Sequence, residues 1–232
     1  MQIDLNCDLG EGCPYDAELM PLITSANIAC GFHAGDALTA QRTLKLAALH
    51  GVQVGAHPGF NDREHFGRRD LVLSEDQIFA EGVYQVGALI ALARSAGTAV
   101  RYIKPHGALY NLACRDAAYA RPLAALGEYF SLPLMALPGS RIEELTARKS
   151  GFIAEGFADR RYRPDGSLVP RSEPDAFVED AKAAVSQVEW LLRERGVRTV
   201  CVHGDNPQAV EFVRTLRAAL LQAGHELKPF AA

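Results

Sequence analysis

Arg101-Tyr-Ile-Lys-Pro-His-Gly-Ala-Leu-Tyr110 reads as a strand that runs directly into a helix. Val100 and Ile103 give it apolar strand character, while Tyr102, Lys104 and His106 share one face, because side chains alternate along a strand. Pro105 has no N–H to donate and ends ladder pairing, and Gly107 lets the backbone turn or approach a ligand closely. Lys104 and His106 therefore stand at the C-terminal end of a strand, where parallel α/β folds gather their active sites.

Working outward, the same grammar recurs. Residues 2–10 alternate strictly, with Ile3, Leu5 and Cys7 apolar and Asp4, Asn6 and Asp8 polar. In a barrel the apolar face meets the outer helices and the polar face looks into the lumen. Residues 26–33 form a second strand, with Asn27, Ala29, Gly31 and His33 on one face. Asp36 is placed to cap a helix over 38–50, which Gly51 ends. A third strand over 52–57 carries His57 at its end and is closed by Pro58-Gly59.

Residues 60–72 are polar and irregular, the composition of a long active-site loop. Ser74 and Gln77 have the spacing of a capping box for a helix reaching about residue 96. Residues 108–129 are expected to be helical with a break at Pro122. Short strands follow at 132–137 and 152–155, separated by a helix through Lys149. A second long loop spans 156–174, a helix runs from Pro174 and Asp175 to Arg195, and a last strand over 198–205 ends with His203 and Asp205 on one face. Asn206-Pro207 opens the closing helix. Seven strands alternating with helices predict a parallel α/β sheet closed as an irregular barrel, a single domain over 1–232.

Composition narrows the function. The chain has 232 residues, of which 48% are hydrophobic and 22% charged, enough for a substantial core. A formal charge of −4 argues against a general nucleic-acid binder, and small-molecule chemistry fits better. No basic leader followed by an apolar core opens the chain, and no apolar run approaches the roughly 20 residues of a membrane span, so a cytoplasmic protein without a membrane partner is expected. The five cysteines form no C-x-x-C pair and read as buried reduced thiols, with Cys7, Cys30 and Cys201 expected to face the helix layer.

With these phases Asp8, His33, His57, Lys104, His106, His203 and Asp205 all project at one end of the sheet and form the candidate catalytic set. Histidine and aspartate can move protons while lysine stabilises a developing anion. Metal binding is the sharpest competitor, since His and Asp at a barrel mouth can build an open catalytic site, although no H-E-x-x-H occurs. There is no G-x-S-x-G elbow, no G-x-x-x-x-G-K-[ST] phosphate loop and no G-x-G-x-x-G fingerprint.

Several stretches together carry a specific resemblance: Asp4-Leu-Asn-Cys-Asp-Leu-Gly-Glu-Gly12, Ser25-Ala-Asn-Ile-Ala-Cys-Gly-Phe-His-Ala-Gly-Asp36, Gly55-Ala-His-Pro58, Phe66-Gly-Arg68, Lys104-Pro-His-Gly107, Phe157-Ala-Asp-Arg160, Gly166-Ser-Leu-Val-Pro-Arg171 and Cys201-Val-His-Gly-Asp205. They resemble the LamB/YcsF family, which supplies the A component of 5-oxoprolinase, over nearly the whole chain. The resemblance implies a barrel similar to the glycoside hydrolase/deacetylase fold and ATP-dependent opening of 5-oxo-L-proline to L-glutamate. It also implies partner subunits B and C in a hetero-oligomer. Such chemistry is intelligible, because a γ-lactam amide resists water until its carbonyl oxygen is made a leaving group. Under this resemblance Asn6, Asn27, Asp159, Arg160 and Arg171 take substrate- or phosphate-binding positions. One departure is the single helix between Pro174 and Val197, where the family pattern carries more chain. Two alternatives stay open: a metal-dependent deacetylase-like hydrolase, and a non-catalytic binding subunit.

Overall fold

The computed structural model describes residues 1–149, 151–178, 180–204 and 208–230. Among these, seven parallel strands close on themselves: β1 (Gln2–Leu9), β2 (Ser25–Ala29), β3 (Gln53–His57), β4 (Val100–Ile103), β5 (Leu134–Ala136), β6 (Phe152–Phe157) and β7 (Thr199–His203). Closure comes from β1, which pairs with β2 on one side and β7 on the other. A two-residue strand, β8 (Glu226–Leu227), adds to β1 at Gln2 and Ile3 and had no signal in the sequence. It is too short to show alternation.

The helices α1 (Asp16–Leu19), α2 (Ala37–His50), α3 (Glu75–Ser95), α4 (Gly107–Arg115), α5 (Ala117–Phe130), α6 (Arg141–Thr146), α7 (Ala181–Glu194) and α8 (Ala209–Gln222) surround the strands. Their ends follow local chemistry. The Asp36 carboxylate accepts from Thr39 N, Ser74 and Gln77 form the expected capping box, and Gly51 ends α2 in the left-handed region.

Two helix boundaries differ from those expected. The break expected at Pro122 lies instead at Asp116, whose side chain accepts from Ala118 N while its own N–H closes α4 on Leu112 O. Pro122 sits inside α5, where its missing N–H forfeits one helical hydrogen bond without ending the helix. Nor does a helix begin at Pro174. Residues 174–178 run back along the preceding loop, with a bridge between Phe177 and Arg160 and a bond from Val178 N to Asp159 O, and α7 starts where Asp180 caps Ala183 N.

Alternation divides the strands as expected. Outward residues such as Ile3, Leu5, Cys7, Val54 and Val200 join the apolar layer under the helices. The lumen is stratified: Tyr102, Met135, Ile153 and Phe230 form a separate apolar cluster. A polar layer contains Asp4, Asn6, Asn27, Thr199, Lys104 and Glu155, all buried. Gly55 is required here, since a Cβ would stand 2.1 Å from the Tyr102 ring. Cys201 departs from expectation. It shares the lumenal face of Thr199 and His203, with Sγ 3.1 Å from Lys104 Nζ, because residues two apart on a strand face the same way.

Candidate active site

Lys104 Nζ lies 2.9 Å from Asp8 Oδ1 and 2.8 Å from Glu155 Oε1. Burial by itself would lower the ammonium, but Asp8 and the other anionic neighbours outweigh it and hold Lys104 well above the usual lysine range. Burial would likewise raise Asp8, yet His57 and Lys104 hold it well below the usual carboxylate range. Lys104 is therefore already neutralised by protein carboxylates, which corrects the expectation of a lysine free to meet a substrate anion. Asn6 and Asn27 do not reach the mouth either. Asn27 Nδ2 donates to Asn6 Oδ1 and Asp8 Oδ1, each at 2.7 Å, Asn6 Nδ2 donates to Thr199, and the Tyr102 hydroxyl donates to Asn27 Oδ1. These amides brace Asp8 from below.

Above this layer three imidazoles meet. His57 Nδ1 lies 2.7 Å from Lys104 O, His106 Nε2 lies 2.8 Å from Phe66 O, and the facing nitrogens, His57 Nε2 and His106 Nδ1, are 2.9 Å apart. His33 is fully buried and stacks on His106 at 3.8 Å between ring centroids. Burial first, then neighbouring imidazoles, pushes His33 and His106 well below the usual histidine range, so both are neutral. The loop after β3 delivers the Phe66 carbonyl through a left-handed turn, Phe66 at φ 56° and Gly67 at φ 62°. Gly107 permits the close approach, because a Cβ there would stand 2.5 Å from Gly67 O.

Glu11 was not singled out from the sequence. Its Oε1 lies 3.3 Å from His33 Nε2 and 3.6 Å from His106 Nδ1. A carboxylate three positions beyond Asp8, in the loop leaving a strand's C-terminal end, was the available signal. Glu155 was also missed, although a lone acid within Phe-Ile-Ala-Glu-Gly-Phe signals a buried charge in need of a partner. Among the described residues, two groups have potential ligand atoms within 4.8 Å of one another: Glu11, His33, His57 and His106, and Asp8, Cys201 and His203.

His203 belongs to a second arrangement. Its backbone N–H donates to Asp159 Oδ2 at 2.9 Å, and its Nδ1 lies at the same distance from that oxygen. Burial would raise the Asp159 carboxyl, but the charge and hydrogen bonds of His203 outweigh it and hold it below the usual range. Asp159 thus orients the His203 ring through Nδ1. Asp205, the other acid expected on this strand, lies outside the described residues.

These groups open into one cavity of about 600 Å³ whose lining includes Asp8, Glu11, His57, Lys104, His106 and His203. That volume suits a small metabolite. Its rim carries Arg68, Arg160, Arg163, Arg171 and Arg195 against the acids Asp70 and Asp165, an excess of positive charge. Arg160 is mostly spent on the loop, donating to Val169 O and Ala176 O, and burial with the charge of Arg171 pushes it down to about 10. His33 does not line the cavity and supports it from behind.

Among curated proteins, one from Neisseria meningitidis serogroup C (strain 053442), named as the A component of 5-oxoprolinase, is 48% identical over 238 residues, covering 96% of this chain and 97% of that one. The crystal structure of a lactam utilization protein from Thermus thermophilus superposes with a TM-score of 0.91 at 40% identity, covering 99% of this chain and 100% of that one. A family 4 carbohydrate esterase from Streptomyces lividans shares the fold alone, with a TM-score of 0.54 at 11% identity, covering 99% of this chain and 93% of that one. The family described as LamB/YcsF matches residues 3–232, and this chain belongs to it.

Proposed function

We propose that this chain is the A component of an ATP-dependent 5-oxoprolinase, a hydrolase that opens the lactam amide of 5-oxo-L-proline to give L-glutamate in concert with B and C subunits. The near full-length 48% identity to a protein named as that component carries the reading. The cavity agrees with it chemically: the cationic rim suits the carboxylate of 5-oxoproline or a phosphoryl group, and the floor carries proton-handling side chains. Phosphoryl transfer from ATP to the lactam carbonyl oxygen makes the carbonyl carbon electrophilic, so that water adds there and the C–N bond breaks. The acyl phosphate left behind is hydrolysed by a second water to glutamate and phosphate. His203, aligned by Asp159, takes a proton from the attacking water and returns one to the departing nitrogen. Arg171 and Arg68 hold the substrate's anionic end against the rim. Lys104 acts at one remove, fixing Asp8 as an ionised wall of the cavity.

The test is glutamate release from 5-oxoproline with ATP, measured for the chain alone and reconstituted with B and C subunits. Turnover is expected only in the reconstituted complex. Robust turnover by the isolated chain overturns the partner requirement, and no glutamate from the complete complex overturns the assignment.

A further inference from the structure

Hydrogen-bond accounting around His57 and His106 leaves a cluster of acceptors that an added cation relieves. A neutral imidazole carries one N–H, and a backbone carbonyl can only accept. His57 Nδ1 faces Lys104 O at 2.7 Å and His106 Nε2 faces Phe66 O at 2.8 Å, so both N–H groups are committed to carbonyls. The nitrogens turned toward each other, His57 Nε2 and His106 Nδ1, then present two lone pairs at 2.9 Å.

Carboxylates converge on the same point. Glu11 Oε1 lies 3.6 Å from His106 Nδ1 and 4.0 Å from His57 Nε2, and Asp8 Oδ2 lies 3.4 Å from His57 Nε2. Two carboxylates thus converge on the paired nitrogens, on side chains at most 8% exposed. One proton shared between the two nitrogens relieves their contact, and a metal ion at the same point also takes the Glu11 carboxylate into its shell.

We infer that Glu11 Oε1, His57 Nε2 and His106 Nδ1 form a site for one divalent transition-metal ion of the Zn²⁺ class, with Asp8 Oδ2 beside His57 supplying the second negative charge. Ligand bonds of about 2.0–2.1 Å set tetrahedral donors roughly 3.3 Å apart, close to the spacing already present. Two imidazoles with a carboxylate select such an ion over Mg²⁺ or Ca²⁺, which prefer all-oxygen shells. Each ring is pinned through its other nitrogen by a backbone carbonyl, the outer-shell arrangement that fixes ligand histidines in the correct tautomer. His33 is a positioning residue, its Nε2 3.3 Å from Glu11 Oε1 and its ring stacked on His106. Asp8, Glu11, His57 and His106 all line the cavity, so the ion keeps an open face toward a substrate.

Ion binding is read without turnover, so this site and the lactam assignment stand or fall separately. The full chain, stripped with a chelator and dialysed, is titrated with Co²⁺ while visible d–d absorption and metal content are recorded. One ion per chain is expected, with a low-symmetry Co²⁺ spectrum that Zn²⁺ displaces and a melting temperature raised by either ion. His57→Gln and His106→Gln should weaken binding by at least about 100-fold, and His33→Asn by about 10-fold through Glu11. Glu11→Gln, isosteric and at the cavity wall, decides the matter if a histidine variant fails to fold. The proposal is overturned if the wild-type chain binds no Co²⁺ or Zn²⁺, if Glu11→Gln binds as tightly as wild type, or if nitrogen-15 spectra of the ion-treated chain still show a proton shared between His57 and His106.

Discussion

Lys104 Nζ and Glu155 Oε1 stand 2.8 Å apart inside the barrel, Glu155 sealed from solvent and Lys104 2% exposed. The contact is a buried ion pair. Burial, offset in part by Lys104, leaves the Glu155 carboxyl raised above its usual range. Removing one member of such a pair strands a buried charge, at a cost of about 3–5 kcal/mol. Lys104→Met should lose stability on that scale in urea denaturation, and Lys104→Met/Glu155→Leu should recover part of it. Simple addition of the two single-variant losses would show that the charges are not coupled.

Asp4 gives a pH signature of the lumen. It accepts from Thr24, Ser25 and Thr199, yet burial outweighs these bonds and pushes its carboxyl up from 3.8 to about 6. Between pH 4 and pH 6 the folded chain retains a proton that the unfolded chain releases, so stability contributed by this group is present below the unfolded value and falls as pH rises through the window. The loss totals roughly 3 kcal/mol. Urea midpoints across pH 4 to 7 should show a shallower decline in Asp4→Asn than in wild type, and identical slopes would assign the titration elsewhere.

His203 and Asp159 are expected to work as one unit, since the carboxylate sets the ring that moves the proton. In the reconstituted complex, His203→Asn should cut turnover by about 10²–10⁴. Asp159→Asn should lower kcat in the same direction, with the double variant scarcely worse than His203→Asn alone. Multiplicative losses would give the two residues separate tasks.

Cys7 and Cys201 separate the two faces of the barrel. Cys7 packs in the apolar layer, where an added hydroxyl has poor company, and Cys7→Ser should cost about 1–3 kcal/mol. Cys201→Ser places its hydroxyl beside the Lys104 ammonium, an acceptor in donor range, and should cost less. Denaturation midpoints in the reverse order would exchange the faces assigned to these two cysteines.

Strand identity and sidedness were legible in the chain because period-two alternation and Pro or Gly punctuation are local signals. From them Asp8, His57, Lys104 and His106 could be placed at one end of a parallel sheet before any contact was known. Helix limits were readable where a cap is encoded within four residues, as at Asp36 and Ser74, and missed where the competing partner comes from elsewhere, as at residues 174–178. Tertiary closure decided the chemistry. It set Lys104 against Asp8 across 96 positions of sequence and against Glu155 on another strand, converting an expected substrate cation into an internal counter-ion. It also brought the carbonyls of Phe66 and Lys104 behind two imidazoles and turned their other ring nitrogens toward Glu11. Such relations depend on distance and hydrogen-bond direction between strands and loops remote in sequence, and periodicity within one strand carries no information about them.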